Sequence, residues 1–109
     1  MVYYNQGLDN TFSALSDPTR RAIVSKIAIG EVPIMELASP FNMSLPAVSK
    51  HVRVLENAGL LIRKKRGRVQ YCRLNASPMR DATDWLIEYQ QFWDTKLDAL
   101  ANFLEEQSK

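Results

Sequence analysis

The 109-residue sequence has very little cysteine or histidine, with one of each, Cys72 and His51. A single cysteine cannot form an intramolecular disulfide bond, so the sequence gives no sign of an oxidising compartment. Zinc sites take three or four protein ligands, usually Cys and His. These two residues cannot supply them alone, although carboxylates could in principle provide the rest. We therefore expect neither a metal site nor a cofactor.

Several sequence patterns are also absent. No Walker-type loop and no GxGxxG run is present to bind phosphates, so we do not expect an enzyme. No apolar run approaches the roughly 20 residues of a membrane span. The first six residues lack the basic region and apolar run of a signal peptide. These features predict one cytoplasmic domain over residues 1–109 that does not associate with membranes.

Charge is present but unevenly distributed. The net charge is only +2, yet residues 47–80 hold nine basic side chains and a single acidic one, Glu56. Residues 81–109 hold seven acidic and two basic side chains. A basic block next to an acidic tail is typical of a protein that binds a polyanion, most often nucleic acid.

Hydrophobic spacing and capping residues predict a mainly α fold with a small β-hairpin (α+β). Asp17-Pro18 and Ser44 are typical helix starts, and Gly59 is a typical helix end. Gly67 suits the tight turn of a hairpin. The predicted order is two N-terminal helices within residues 8–30, a helix–turn–helix over 34–59, a hairpin over 60–75 and a long helix over 78–106.

The second helix of the helix–turn–helix has two opposed faces at about 100° per residue. The predicted packing face consists of Leu45, Val48, Val52 and Leu55. The opposite face carries Pro46, Ser49, Lys50, Arg53 and Asn57, small and basic side chains that can approach a DNA groove closely. The hairpin that follows has five basic residues at or just before its tip, which favours contact with phosphate.

The last helix is predicted to be too long for its own domain. Some 28 residues would span about 42 Å, whereas a globule of this chain length is roughly 34 Å across. Its apolar arc is wide, so we predict a two-fold homodimer interface shared with the first helix. The predicted interface residues are Leu8, Phe12, Trp85, Tyr89, Phe92, Trp93, Leu97, Leu100, Phe103 and Leu104. An intramolecular core helix and an aromatic ligand pocket are the alternatives.

The sequence resembles the arsenic-repressor-type (ArsR/SmtB) family of bacterial transcriptional regulators. The matching segments are residues 12–21, 36–38, 44–52 and 55–61, together with the hairpin. The resemblance implies a winged helix–turn–helix in which helices 1 and 5 form the dimer interface. It also implies a homodimeric repressor that binds double-stranded operator DNA with an inverted repeat and releases it on a signal.

The resemblance also assigns DNA-contacting positions. In the helix–turn–helix these are Ser44, Leu45, Pro46, Ser49, Lys50 and Arg53, and in the wing they are Lys64, Lys65, Arg66 and Arg68. Leu45 stands where many relatives have a polar residue, which favours apolar contact with a thymine methyl group. Metal-sensing members carry Cys before the turn, or His and carboxylates on the last helix. Residues 36–40 have no Cys and residues 75–109 have neither Cys nor His, so the chain resembles a member without those sites.

Several alternatives remain open from sequence. The chain could be a winged-helix adaptor for another protein, or a thiol sensor that acts through Cys72, which is expected to be half-buried. Arg20 or Arg21 could contact phosphate from the start of the second helix. His51 is expected to pack or to touch phosphate. The sequence does not identify a small-molecule effector.

Overall fold

A computed structural model describes residues 6–107 of the chain. Its helices are α1 (Gln6–Ala14), α2 (Pro18–Ile29), α3 (Ile34–Ala38), α4 (Leu45–Asn57) and α5 (Ala76–Gln107). Its strands are β1 (Val32–Pro33), β2 (Leu61–Arg66) and β3 (Val69–Leu74). The order confirms the predicted helix–turn–helix followed by a hairpin. The prediction about a signal peptide falls largely on residues 1–5, which lie outside the described residues.

Side-chain caps and turn residues set the ends of the helices. Asp17 accepts a hydrogen bond from the backbone N–H of Arg20 at 3.0 Å, and Ser44 accepts one from that of Ala47 at 3.3 Å. Helix α3 ends early, at Ala38, and continues as a 3₁₀ turn over Ser39–Phe41. Asn42 then takes the left-handed conformation, with φ of 50°, which turns the chain into α4.

The antiparallel sheet has the strand order β1-β3-β2. The sequence did not predict β1, which pairs Val32 with Cys72 and Pro33 with Tyr71. Two residues are too short for a periodic pattern, and proline is tolerated here because β1 lies at the edge of the sheet. Strand β1 therefore depends on its pairing with β3 and not on a local sequence pattern.

The core lies between α2, α3, α4 and the base of the hairpin. Its fully buried side chains include Ile23, Leu37, Leu55 and Leu60. Val48 and Val52 are also completely buried, as the predicted packing face of α4 requires. Leu45, which the periodicity placed on that face, is instead 40% exposed because it is the first residue of α4 and lies beyond the edge of the core.

Helix α5 begins at Ala76, two residues earlier than predicted. Pro78 is accommodated in its first turn because the N–H groups there have no intrahelical partner. The 32 residues of α5 give a length of about 48 Å. The radius of gyration is 19.4 Å, whereas about 13 Å is typical of a globule of this size. Among the described residues of α5 only Ala82 is buried, which rules out the alternative of an intramolecular core helix.

The cap of α2 generates a prediction about acid stability. The backbone N–H of Arg20 holds the pKa of Asp17 below its ordinary value, and the nearby charges of His51 and Arg20 act in the same direction. A carboxyl group whose pKa is lower in the folded state stabilises the fold above its unfolded pKa, and the stabilisation is lost as the pH falls through the folded pKa.

Asp17→Asn keeps a capping oxygen but removes the ionisation. We expect the variant to have a lower free energy of unfolding than wild type at neutral pH. The difference should shrink as the pH falls below the ordinary aspartate pKa of about 3.9. Urea denaturation at a series of pH values measures this difference, and a gap that does not change with pH would contradict the role given to the charge.

Candidate DNA-binding surface

The outward side of α4 carries the residues predicted to contact DNA. We call Ser44, Leu45, Pro46, Ser49, Lys50 and Arg53 the recognition face. All of them are exposed except Ser49, which is partly buried. The burial of Val48, Val52 and Leu55 on the other side places this face toward solvent, because helix positions three and four apart share a side. The structure therefore brings the six predicted positions together.

The wing, residues 60–75, carries the other four predicted contacts. Lys64, Lys65, Arg66 and Arg68 are all exposed. The register pairs Lys64 with Tyr71, Lys65 with Gln70 and Arg66 with Val69. Because directly paired residues share a face of the sheet, Lys65 lies on one face and Lys64 and Arg66 lie on the other. The wing is thus basic on both sides.

Arg66 has partners that the sequence did not reveal. Its guanidinium group forms an ion pair with Glu31, which lies just before β1. Its central carbon lies 4.2 Å from the centroid of the Tyr71 ring, a cation–π contact. Glu31 precedes Arg66 by 35 positions, so no local pattern indicated the pair. Arg66 is therefore the predicted wing contact whose charge is already partly balanced within the chain.

The side chains of Arg20 and Arg21, in the first turn of α2, form hydrogen bonds with the carboxyl end of α1. Arg20 Nε donates to the carbonyl oxygen of Ala14 at 2.6 Å, and Arg21 Nη1 donates to that of Leu15 at 2.8 Å. Positive charge is favourable near the carboxyl end of a helix, where the carbonyl groups lack partners. These contacts give both arginines a structural role, so we do not assign them to phosphate.

His51 belongs to α4, and its ring faces the start of α2. Its Nδ1 is 3.8 Å from Asp17 Oδ2 and 3.4 Å from Arg20 Nη1. Its side chain is mostly buried, which agrees with a packing role. Among residues 6–107, no group of three or more His, Cys, Asp and Glu side chains is placed to hold a metal ion. The absence of a metal effector stays a prediction.

Cys72 is completely buried in β3, so the expectation of a half-buried thiol is wrong. The inward-facing positions of β3 pack on the core, which the strand alternation alone did not settle. Burial raises the pKa of the Cys72 thiol; Arg63 opposes this effect and Glu56 adds to it. A thiolate is the reactive form of cysteine, so this site disfavours oxidation chemistry.

A continuous apolar surface runs from α1 along α5. We call the ten predicted interface residues, from Leu8 to Leu104, the dimer surface. Leu8 is partly buried, and the other nine are between 37% and 57% exposed. Aromatic contacts join the two helices, with Phe12 and Trp85 ring centroids 5.7 Å apart and Trp85 stacked on Tyr89 at 5.4 Å. None of the described helices is long and apolar enough to cross a membrane.

Comparison with known proteins shows the family. The family described as "Bacterial regulatory protein, arsR family" matches residues 17–63, which run from the cap of α2 into β2. The transcriptional repressor SdpR of Bacillus subtilis is 31% identical over 90 residues, which are 83% of this chain and all of that protein. The chain belongs to the ArsR family. The resemblance stated from the helix–turn–helix and the wing is therefore confirmed.

Solved structures of this family share the fold. The crystal structure of an ArsR family transcriptional regulator is 39% identical, with a TM-score of 0.78, and covers 86% of this chain and 97% of its own. A homodimeric winged helix–turn–helix DNA-binding domain from Mycobacterium bovis is 24% identical, with a TM-score of 0.62 and coverage of 84% and 82%. This ArsR-family chain thus has the winged helix–turn–helix fold and is a transcriptional regulator.

The burial of Cys72 predicts low reactivity. An aromatic disulfide reagent should label the native protein on the order of 100-fold more slowly than the urea-unfolded chain, because the thiol is reached only after local opening. Absorbance of the released thiolate follows the reaction. Equal rates in the two states would contradict the burial and would favour the thiol-sensor alternative.

Proposed function

We propose that this ArsR-family regulator is a homodimeric, sequence-specific repressor that binds double-stranded DNA. The observation that carries the proposal is the recognition face, which presents Lys50 and Arg53 to solvent beside the basic wing. An α-helix fits the major groove of B-DNA, and basic side chains can bond to guanine edges there. In this arrangement the recognition face enters the groove and the wing contacts the flanking phosphates.

The dimer surface supports the homodimer. Nine large apolar side chains exposed along one side of a chain of this size make a patch that soluble monomers rarely carry. Association with a second copy through the same surface buries that patch on both chains, as in a two-fold interface. The name of the Mycobacterium bovis relative, which describes it as homodimeric, agrees with this assembly.

Two-fold symmetry sets the form of the DNA site. Each copy presents one recognition face, so the operator is an inverted repeat with half-sites about one helical turn apart. We further propose that residues 1–109 form a single winged-helix domain that acts in the cytoplasm, without catalysis and without a metal effector. The resemblance of the helix–turn–helix to metal-sensing relatives does not extend to the positions of their metal ligands. This difference supports the absence of a metal effector.

The alternative of a protein adaptor makes a different prediction about salt. A DNA-binding protein releases counterions from phosphates, so its affinity falls steeply as salt rises. An adaptor would show little affinity for duplex DNA at any salt concentration. Selection of bound sites from random duplexes, followed by a salt titration on the selected site, distinguishes the two.

The recognition face and the wing should respond differently to substitution. Lys50→Ala and Arg53→Ala are each expected to weaken binding to the selected site by about 1–3 kcal/mol if they touch base edges. Arg66→Ala should weaken binding to selected and random duplexes alike, because phosphate contacts carry no sequence information. Fluorescence anisotropy with both duplexes at physiological salt measures these effects.

Asp94→Asn is the control for these variants, since it removes one charge from the polar side of the far half of α5. It should leave both affinities unchanged. If wild type binds the selected inverted repeat no better than random duplex, sequence-specific repression is wrong.

The dimer surface gives a prediction about assembly. Tyr89→Glu places a charge in the middle of the apolar arc and should convert dimers to monomers, because a buried unpaired charge is costly. Gln91→Glu adds the same charge on the polar side of α5 and should leave the dimer intact. Multi-angle light scattering gives the molar mass, and a wild-type chain that is monomeric at working concentration would overturn the dimer.

A further inference from the structure

Arg63 differs from the other basic residues of the wing. It is the third residue of β2, and its side chain is only 23% exposed. The register places it directly opposite Cys72, so it lies on the face of the hairpin that turns toward the core. The sequence pattern counted it with the basic tip, but its side chain is partly buried against the body of the domain.

The guanidinium group of Arg63 bridges two elements. Its Nη1 donates to Gln70 Oε1 on β3 at 3.0 Å, and its Nη2 donates to Glu56 Oε1 on α4 at 3.3 Å. Glu56 is in the last turn of α4, the helix that carries the recognition face. The Nε of Arg63 is buried and has no hydrogen-bond acceptor among residues 6–107. One side chain therefore connects both strands of the wing to the recognition helix.

The base of the wing is held by hydrogen bonds, whereas the part above it is tied to the rest of the domain by side-chain ion pairs, Arg63 with Glu56 and Arg66 with Glu31. At the base, the N–H of Asn75 donates to the carbonyl oxygen of Leu60 at 2.8 Å, and its side-chain amide donates to that of Gly59 at 2.9 Å. The third strand, β1, pairs with β3 only at Cys72 and Tyr71. Beyond that level the wing is a two-stranded ribbon, which has little stability alone.

We propose that Arg63 is a positioning residue that holds the wing at a fixed distance from the recognition helix and does not contact DNA. The proposal rests on the proposed DNA-binding function and adds a residue to it. A partly exposed ion pair contributes little to stability by itself. The Arg63–Glu56 pair instead restricts the tilt of the ribbon. The wing and the recognition face can then contact one duplex together, and less conformational entropy is lost on binding.

Arg63 and Glu56, whose ion pair we call the clamp, carry opposite charges, yet neutralising either one should weaken binding. Arg63→Gln should weaken binding to the selected inverted repeat by about 3- to 10-fold, with the slope of log affinity against log salt unchanged. Glu56→Gln should also weaken binding, although removing a carboxylate near DNA would by electrostatics alone strengthen it. The double variant should bind DNA about as weakly as the single variant with the lower affinity, because both substitutions break the same ion pair.

Lys64→Gln is the matched control, since it removes the same charge from the adjacent, outward-facing position. Because Lys64 is predicted to contact phosphate, Lys64→Gln should lower both the affinity and the salt slope, the latter by about 1. Hydroxyl-radical footprints of Arg63→Gln should lose the flanking protection assigned to the wing and keep the central protection. A reduced salt slope in Arg63→Gln, or tighter binding by Glu56→Gln, would overturn the proposal.

A measurement without DNA separates this proposal from the proposed function. In nitrogen-15 spectra of the free protein, the buried Nε proton of Arg63 should exchange with water more slowly than those of the exposed Arg68 and Arg73. Glu56→Gln should speed that exchange. Exchange as fast as in the exposed arginines would overturn the clamp, whereas a wild-type chain with slow Arg63 exchange but no preference for the inverted repeat would overturn the repressor function instead.

Discussion

The burial of one side of α4 is the constraint on which the rest of the structure depends. Val48, Val52 and Leu55 lose all contact with solvent, and burial of each such side chain contributes roughly 1.5–3 kcal/mol. Once they are buried, the helical period leaves Lys50 and Arg53 no position except the surface. The residues that stabilise the domain therefore also orient the residues that we propose to read DNA.

A second constraint acts through α5 and concerns more than one chain. The apolar side chains of this helix follow the same period as those of a core helix, yet within residues 6–107 only Ala82, near the start of α5, is buried among them. The hydrophobic effect is not specific to a chain, so the same stripe can be covered by another copy. In the proposed dimer, the distance between the two recognition faces follows from how α1 and α5 pack. Stability of the dimer and spacing of the operator are thus linked.

Much of the fold could be predicted from the sequence because its signals are local. Asp17 and Ser44 cap helices within three residues of themselves, and Gly67, with φ of 64°, allows the hairpin turn. The larger errors concern contacts between distant segments. Strand β1 exists because residues 32–33 meet β3, and Cys72 is fully buried because that strand packs on the core. The ten residues proposed to contact DNA are at the surface, but their contacts with DNA stay a prediction.

The sequence by itself determined most of the helices, the two strands of the hairpin and its turn, which side of α4 packs, and the family to which the chain belongs. These properties depend on periodicity, capping and motif spacing, all of which operate over a few residues. Only the tertiary structure decided which basic side chains have acidic or aromatic partners within the chain. Arg66 meets Glu31 and Tyr71, and Arg63 turns inward to Glu56, because ion pairs and ring contacts depend on distance in space and not on separation along the chain.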